Sequence, residues 1–190
     1  MSTDFAAARL NMVESQIRTA DVTDLPLQDA LRVVARESVV PASKAYLAYA
    51  DADVEYAPGR WLLRPREVGK LLQALKPRQG ERALAIAAPY AAAVLETMGL
   101  SVTRLEGDDL TAVPGGPYDV IICEGAVAVA PKAWSDALAV GGRLGVIERT
   151  GPVGRAAIYL RAEEGVGRRQ AFDASPPVLA GFEAEAGFSF

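Results

Sequence analysis

The chain has 190 residues, 51% of them hydrophobic, which suits one domain with a substantial core. Its formal net charge of −4 gives no electrostatic basis for binding a polyanion, so we expect no nucleic-acid partner. The absence of histidine excludes Ser-His and Cys-His catalysis and the usual zinc ligand sets. The single cysteine, Cys123, excludes an internal disulfide framework and is expected to be a buried thiol.

The N-terminus shows no secretory signal peptide, because Met-Ser-Thr-Asp-Phe lacks a basic segment followed by an apolar one. The longest apolar stretch, residues 83–95, is too short to span a bilayer and contains Pro89. We therefore expect a cytoplasmic protein with no membrane partner.

The first 76 residues are predicted to form a mainly helical segment. Apolar spacing and capping residues predict four helices: one over 3–18 capped by Ser2 or Thr3, one capped by Thr23 or Asp24, a short one from Ser43, and one from Pro65 through Leu75. Residues 51–59 are polar and contain Pro-Gly, which predicts a loop.

Residues 77–190 alternate between strand and helix patterns, which predicts a doubly wound, mostly parallel α/β sheet with a Rossmann-like architecture. The predicted strands are 82–87, 101–106, 118–123 and 143–147, followed by an antiparallel pair at 156–161 and 168–172. The predicted crossover helices are 89–98 and 131–138. We expect the helical segment and the sheet to form one compact unit.

One connection in this sheet is unusually short. Residues 107–117 join two predicted strands but are rich in glycine and proline and make a poor helix. Parallel neighbours normally need a crossover of a dozen or more residues. Either this connection is an irregular excursion, or a strand and helix usual in such sheets are missing.

Several segments, in order along nearly the whole chain, resemble the protein-L-isoaspartate O-methyltransferases, particularly a bacterial branch of that family. They are Met12-Val13-Glu14-Ser15-Gln16-Ile17-Arg18, Asp21-Val22-Thr23-Asp24, the pattern around Arg36-Glu37 and Val40-Pro41, Tyr49-Ala50-Asp51, Leu63-Arg64-Pro65, Pro117-Tyr118-Asp119-Val120-Ile121-Ile122, Glu124-Gly125-Ala126-Val127, Gly141-Gly142-Arg143-Leu144, Gly151-Pro152-Val153-Gly154-Arg155-Ala156 and Phe172-Asp173-Ala174. The resemblance implies a class I S-adenosylmethionine-dependent methyltransferase fold.

Three departures from the family pattern concern its cofactor and substrate. The glycine-rich turn after the first strand is replaced by Ala87-Ala88-Pro89-Tyr90, so methyl groups and a proline ring stand where the cofactor would approach the backbone. The family's Thr-x-Ser-Gln-Pro-like stretch, with a hydroxyl near the reacting carboxylate, is replaced by Trp61-Leu62-Leu63-Arg64-Pro65. The short crossover at 107–117 lacks the segment that usually contacts the adenine ring.

The family-equivalent crevice positions are Ala87, Ala88, Tyr90, Glu106 and Glu124. Glu106 ends a strand where a carboxylate would bond the ribose hydroxyls, and the alternative is a solvated side chain. Tyr90 follows the altered turn, and its alternative is a packing role. Glu124 faces the same crevice or caps the turn after it. No catalytic residue is assigned.

Two further groups of charged residues have simpler interpretations. Asp108 and Asp109 are adjacent in a loop and are expected to be solvated rather than a metal pair, so no metal is expected. The arginines Arg60, Arg64 and Arg66 are flanked by apolar residues and are expected to form an amphipathic rim rather than a site for an acidic partner.

Three hypotheses of different classes follow. The first is a non-catalytic scaffold or interaction module with lost or strongly reduced S-adenosylmethionine binding, no cofactor and an unidentified protein partner. The second is an active S-adenosylmethionine-dependent protein-L-isoaspartate carboxyl methyltransferase that repairs proteins. The third is a binder of another small ligand in the altered crevice. We also predict that the first helix and the tail residues Phe182, Phe188 and Phe190 either fold back over the sheet or pair two copies of the chain.

Overall fold

The computed structural model describes residues 4–184. Its α-helices are α1 (Phe5–Met12), α2 (Leu25–Val33), α3 (Pro65–Leu75), α4 (Pro89–Thr97) and α5 (Lys132–Asp136). A π-helical turn spans Val13–Ile17, and 3-10 turns span Arg18–Ala20, Arg36–Val39 and Ala42–Leu47. The strands are β1 (Val54–Ala57), β2 (Arg60–Leu62), β3 (Arg82–Ile86), β4 (Ser101–Leu105), β5 (Tyr118–Val127), β6 (Leu138–Glu148), β7 (Arg155–Ala162) and β8 (Gly165–Asp173).

Six strands form the main sheet in the order β4-β3-β5-β6-β7-β8. The first four of these pair in parallel, and β7 and β8 add an antiparallel pair at one edge. Both β3 and β5 are interior parallel strands. The predicted doubly wound sheet with an antiparallel C-terminal pair is therefore confirmed.

Side chains on β3 alternate between two hydrophobic clusters, one on each face of the sheet. Ala83 and Ala85 belong to the cluster that contains the buried faces of α1 to α4, and Leu84 and Ile86 belong to the opposite cluster. That second face is covered by α5, the loop after β4 and part of the tail, with Trp134 fully buried at its centre. The four-helix face is the one that positions the crevice.

The predicted loop at residues 51–59 is wrong, because the chain forms a separate β1–β2 hairpin there. The buried residues Val54 and Leu62 face each other across it, and Gly59 supplies the left-handed turn with a φ of 67°. The Glu55 carboxylate also accepts a hydrogen bond from the Gly59 N–H at 3.1 Å. β-formers on both sides of Pro-Gly were the signal for this hairpin, and the neighbouring polar residues masked it.

Helix capping follows the sequence only in part. Asp24 caps α2 by accepting the Leu27 N–H at 2.8 Å, as predicted. Asp4 accepts the Ala7 N–H at 3.0 Å and caps α1. Ser2 and Thr3 lie outside the described residues.

The short connection between β4 and β5 is an irregular segment, as the first alternative expects. Residues 106–117 contain no helix or strand. Leu110 anchors the excursion in the second-face cluster, where its carbonyl accepts a hydrogen bond from the Trp134 indole at 2.7 Å. Residues 106–117 thus connect β4 to β5 without a crossover helix, although β3 lies between these two strands in the sheet.

The tail folds back along the end of β5. Ala126 donates to the Pro177 carbonyl at 3.0 Å, Leu179 donates to the Ala126 carbonyl at 2.8 Å, and Ala128 donates to the Phe182 carbonyl at 2.7 Å. Phe188 and Phe190 lie outside the described residues. Pairing of two copies stays a prediction.

The helical segment packs directly on the sheet through α3. A Cβ added at Gly145 of β6 would lie 3.0 Å from the Leu75 Cδ1 atom, so helix and strand approach closely because this residue is glycine. The division at residue 76 stays a prediction. Within residues 4–184, none of the helices combines the length and apolarity needed to cross a membrane.

Candidate functional site

The turn after β3 keeps a glycine-like backbone although it contains no glycine. Ala87 has a φ of 45°, in the left-handed region that L-residues rarely adopt. Its N–H donates to the Leu105 carbonyl at 3.0 Å, which fixes the turn against β4. Ala87 and Ala88 are both fully buried, while Pro89 is partly exposed.

The start of α4 lacks a side-chain cap of its own. Ala88 occupies the N-cap position and has no side-chain oxygen, while Pro89 takes a first-turn position that needs no N–H donor. The free N–H of Ala91 instead donates to Glu124 Oε1 at 2.8 Å. A helix N-terminus at the end of a parallel strand is the place where such sheets receive anionic ligand groups. Here a carboxylate of the chain itself occupies it.

Glu124 reaches this position from an irregularity at the end of β5. The pairing of β5 with β6 shifts between Ile122 and Ala126, so Glu124 lies in a bulge that turns its side chain toward α4. Its second oxygen accepts the Leu63 N–H at 3.0 Å, just after the hairpin. Burial raises the pKa of the fully buried Glu124 carboxyl to about 7, while Arg36 and the two N–H donors oppose that shift.

Arg36 lies beside Tyr90 and Leu63 in the crevice. It is fully buried, and its guanidinium donates to the Ala48 carbonyl at 2.7 Å and to the Leu63 carbonyl. Its Cζ atom lies 4.7 Å from the centroid of the Tyr90 ring, which is also fully buried. This cation–π contact stabilises the position of the Tyr90 ring. Burial raises the pKa of the Tyr90 phenol well above its usual range.

The hairpin closes the rim of the crevice. Tyr56 of β1 donates its hydroxyl hydrogen to Glu106 Oε2 at 2.9 Å, and Arg60 of β2 donates to the Gly107 carbonyl at 2.8 Å. Burial raises the pKa of the Tyr56 phenol, and the neighbouring Glu106 adds to that shift. The hairpin therefore binds the segment just after β4 at two points.

Comparisons with known proteins identify the family. No family model matches the sequence. A protein-L-isoaspartate O-methyltransferase from Methylorubrum populi is 33% identical over 209 aligned residues, which cover 94% of this chain and 98% of the relative. A second enzyme of that name, from Methylorubrum extorquens, is 31% identical and is covered over 91% of its length.

The chain belongs to the protein-L-isoaspartate O-methyltransferase family. Solved structures support the same fold. A structure titled protein-L-isoaspartate O-methyltransferase superposes with a TM-score of 0.71 over 91% of this chain and 66% of that chain, at 19% identity. A beta-aspartate methyltransferase structure from Plasmodium falciparum, titled as a complex with S-adenosyl-L-homocysteine, gives a TM-score of 0.73 over 94% of this chain and 99% of that one, at 15% identity.

In this family member, four of the five predicted crevice residues come together. Ala87, Ala88, Tyr90 and Glu124 surround the start of α4 and are all fully buried. Glu106 is exposed at the rim, bonded to the hairpin. Tyr90 is buried and packs against Arg36, which agrees with the alternative of a packing role. The role of each of the five residues in cofactor binding stays a prediction.

Sequence patterns predict neither Arg36 nor Tyr56 at this site. Arg36 contacts carbonyls 12 and 27 residues away in the sequence, and Tyr56 bonds a carboxylate 50 residues away. Neither contact follows a helical or strand period. The only sequence signal was the resemblance of the segment around Arg36 to this family.

Asp109, Arg64 and Arg66 bond to other residues of the chain. Asp109 accepts hydrogen bonds from the Thr111 N–H at 2.8 Å and the Thr111 hydroxyl at 2.6 Å, which makes it a turn residue. No group of three potential metal-ligating side chains occurs within residues 4–184. Arg64 pairs with Asp53 at 3.4 Å, and Arg66 lies 3.3 Å from Asp51.

Proposed function

We propose that this chain is a non-catalytic member of the protein-L-isoaspartate O-methyltransferase family that keeps the fold as a scaffold or interaction module. One observation carries the proposal. The buried Glu124 carboxylate occupies the helix N-terminus of the crevice through the N–H groups of Ala91 and Leu63. Arg36 and Tyr90 fill the space beside it.

A cofactor entering this crevice would have to displace the chain's own contacts. Hydrogen bonds to a charged group contribute about 1.5–3 kcal/mol each, and Glu124 accepts two. A loss of about 4 kcal/mol weakens a micromolar ligand to the millimolar range. Overpacking by Ala87, Ala88 and Pro89 acts in the same direction.

The alignment with the Methylorubrum populi relative supports the same proposal. It extends over 209 positions, more than the 190 residues of this chain, so the relative carries segments that this chain lacks. The irregular residues 106–117 are the part of the fold in which a missing crossover segment is expected.

The second candidate is an active protein-L-isoaspartate carboxyl methyltransferase that uses S-adenosylmethionine. The comparisons favour this candidate over the first, because the relatives, aligned over 98% and 91% of their length, carry the enzyme's name, and one structure of the same fold is titled with S-adenosyl-L-homocysteine. Methyl transfer mainly needs the sulfonium carbon aligned with the nucleophile, and little acid–base chemistry. In this chain it would require the β1–β2 hairpin to leave the crevice.

Calorimetry with S-adenosylmethionine and S-adenosylhomocysteine tests the two candidates, with the Methylorubrum populi relative as a positive control. A radiolabelled methyl-transfer assay on an isoaspartyl peptide runs in parallel. The first candidate predicts no saturable binding up to a concentration on the order of 1 mM and no transfer above background. Low-micromolar binding together with methyl transfer would overturn it and establish the second. Binding without transfer would show that only the chemistry has been lost.

A further inference from the structure

A second cavity, separate from the crevice, has the features of a ligand site. Its volume is about 350 Å³, and it lies between the π-helical turn Val13–Ile17, the first turns of α3 and the end of β8. None of its lining residues belongs to the crevice described above. We propose that this cavity binds a small zwitterion of the amino-acid class, with the ligand's ammonium group on Glu67 and Gln16 and its carboxylate on Lys70.

Two acceptor oxygens at this cavity have no donor within the described residues. The Glu67 side chain is only 9% exposed, and its Oε2 atom is buried without a hydrogen bond, while Oε1 lies 3.5 Å from the Arg64 Nε atom. Gln16 donates its amide to the Tyr49 carbonyl at 2.8 Å, which orients the side chain and leaves Oε1 buried and unbonded. Buried acceptors without donors are costly. An ammonium group has three N–H donors, and the proposal assigns it to these two acceptors.

Lys70 supplies the opposite charge one helical turn away. Its Nζ atom lies 4.6 Å from the centroid of the Phe172 ring, and no carboxylate among residues 4–184 lies within 4.0 Å of it. Oppositely charged residues three positions apart on a helix can pair with each other. Here Glu67 contacts Arg64 and Lys70 contacts Phe172, and Glu67 and Lys70 do not form an ion pair with each other. The negative charge of Glu67 and the positive charge of Lys70 are therefore both available to a ligand that carries an ammonium and a carboxylate.

The remaining charges at the rim do not supply a competing site. Arg66 and Asp51 pair with each other at 3.3 Å. Asp173 lies 4.0 Å from Arg155, and Ser15 and Thr19 add neutral hydroxyls. The cavity volume is at the small end of ligand pockets, which matches a single amino acid rather than a cofactor.

Binding should also be linked to a proton. Burial raises the pKa of Glu67 to about 7, the nearby Asp53 and Asp51 add to the shift, and Arg64 and Arg66 oppose it. An ammonium group on Glu67 favours its ionised form and therefore lowers that pKa. Zwitterion binding should tighten as pH rises through neutrality, and this proposal does not depend on whether the chain binds S-adenosylmethionine.

The first test is a titration of ¹⁵N-labelled full-length protein, followed by backbone amide shifts. The probes are the twenty free amino acids, with methylamine and acetate as fragments that carry only one of the two charges. At least one amino acid should shift the amides of residues 15–20 and 66–70 saturably, with a Kd on the order of 1 mM or below. No saturation by any amino acid, or equal saturation by the fragments, would overturn the proposal.

Variants separate binding from a structural role. Glu67→Gln and Lys70→Met should each weaken the best amino acid about tenfold or more, the loss expected when one charge-assisted hydrogen bond is removed. Only Glu67→Gln should also abolish the pH dependence of the Kd. Lys132→Met, on the exposed Lys132–Asp136 pair of α5, is the matched control and should leave the Kd unchanged. Unchanged affinity in Lys70→Met would refute the assignment, and because Lys70 is only partly exposed, urea unfolding checks that this variant folds.

Discussion

The carboxylate of Glu124 caps helix α4 by accepting the Ala91 N–H at 2.8 Å. The N-cap residue, Ala88, has no side-chain oxygen, so a residue from β5 performs the task that an N-cap side chain usually performs. The same carboxylate accepts the Leu63 N–H and thereby ties the hairpin to the sheet. One buried side chain thus joins three parts of the fold at the place where a ligand would enter.

Removing this carboxylate should destabilise the protein. Glu124→Ala leaves two buried N–H groups unsatisfied and the buried Arg36 without its nearest negative charge, and should lower the free energy of unfolding by about 3 kcal/mol. Glu124→Gln has one acceptor oxygen for two donors and should cost about 2 kcal/mol. Urea unfolding followed by circular dichroism measures both.

Glu106→Gln is the matched control for this change. Glu106 directly follows β4, which β3 separates from β5, and it is exposed. The Tyr56 hydroxyl is its only hydrogen-bond partner among the described residues. The amide oxygen can accept the same bond, so the change should cost less than about 1 kcal/mol. Equal effects at Glu106 and Glu124 would contradict the central role of Glu124.

Arg36 and Glu124 should be energetically coupled. Arg36→Met alone leaves the Ala48 and Leu63 carbonyls without their donor and the Glu124 charge uncompensated, and should cost about 3 kcal/mol. The loss of unfolding free energy in the double variant Arg36→Met/Glu124→Gln should be at least about 1 kcal/mol smaller than the sum of the losses in the two single variants. This is about the interaction energy measured for residues that share one buried charge network. A double-mutant cycle from urea unfolding measures this coupling. Additive losses would show that the two side chains act independently.

The sheet could be predicted from the sequence because its signals are local. The apolar run around Val120 and the strand-then-helix pattern around Pro89 each depend on neighbouring residues and gave the correct elements. The β1–β2 hairpin was missed because its signal is short. Val54 and Tyr56 suit a strand, but Asp51 and Asp53 beside them made the stretch polar.

The filling of the crevice could not be predicted in the same way. The sequence shows alanine at positions 87 and 88 where the family has glycine, and this predicts a turn with less space for a cofactor. What fills the space is decided by tertiary contacts: Glu124 reaches α4 only because a bulge in β5 redirects it, and Arg36 arrives from a distant turn. Neither feature has a periodic signature in the sequence.

Stability should depend on pH through Glu67. Its pKa is raised to about 7 in the folded chain, above the unfolded value of about 4.3, so the protonated form favours folding. This contribution is fully present below the unfolded pKa and is lost as pH rises through the folded one. Relative to Glu67→Gln, the unmodified protein should therefore lose on the order of 2 kcal/mol of unfolding free energy between pH 4 and pH 8. Urea unfolding across that range measures it, and a constant difference would contradict the raised pKa.

The thiol of Cys123 should be inert in the folded protein. It is fully buried, its Sγ atom lies 3.6 Å from the Glu124 carbonyl oxygen, and burial raises its pKa well above the usual range. Because the thiolate is the reactive form, Ellman's reagent should not label it at neutral pH until urea unfolds the chain. Labelling at the rate of a free thiol under native conditions would show that the end of β5 opens readily.

Restoring one glycine should relieve the turn without opening the crevice. Ala87 adopts a left-handed backbone at a cost of about 1–2 kcal/mol, and Ala87→Gly removes that strain while losing a buried methyl group worth about 0.8 kcal/mol. The change in unfolding free energy should stay within about 1 kcal/mol of zero. Ala85→Gly, in the regular part of β3, has no strain to relieve and should cost more than Ala87→Gly, about 1–2 kcal/mol. Calorimetry on Ala87→Gly should show no new binding of S-adenosylhomocysteine, because Glu124 still occupies the start of α4. Binding that appears with this single change would mean that the turn alone, rather than Glu124 and Arg36, closes the crevice.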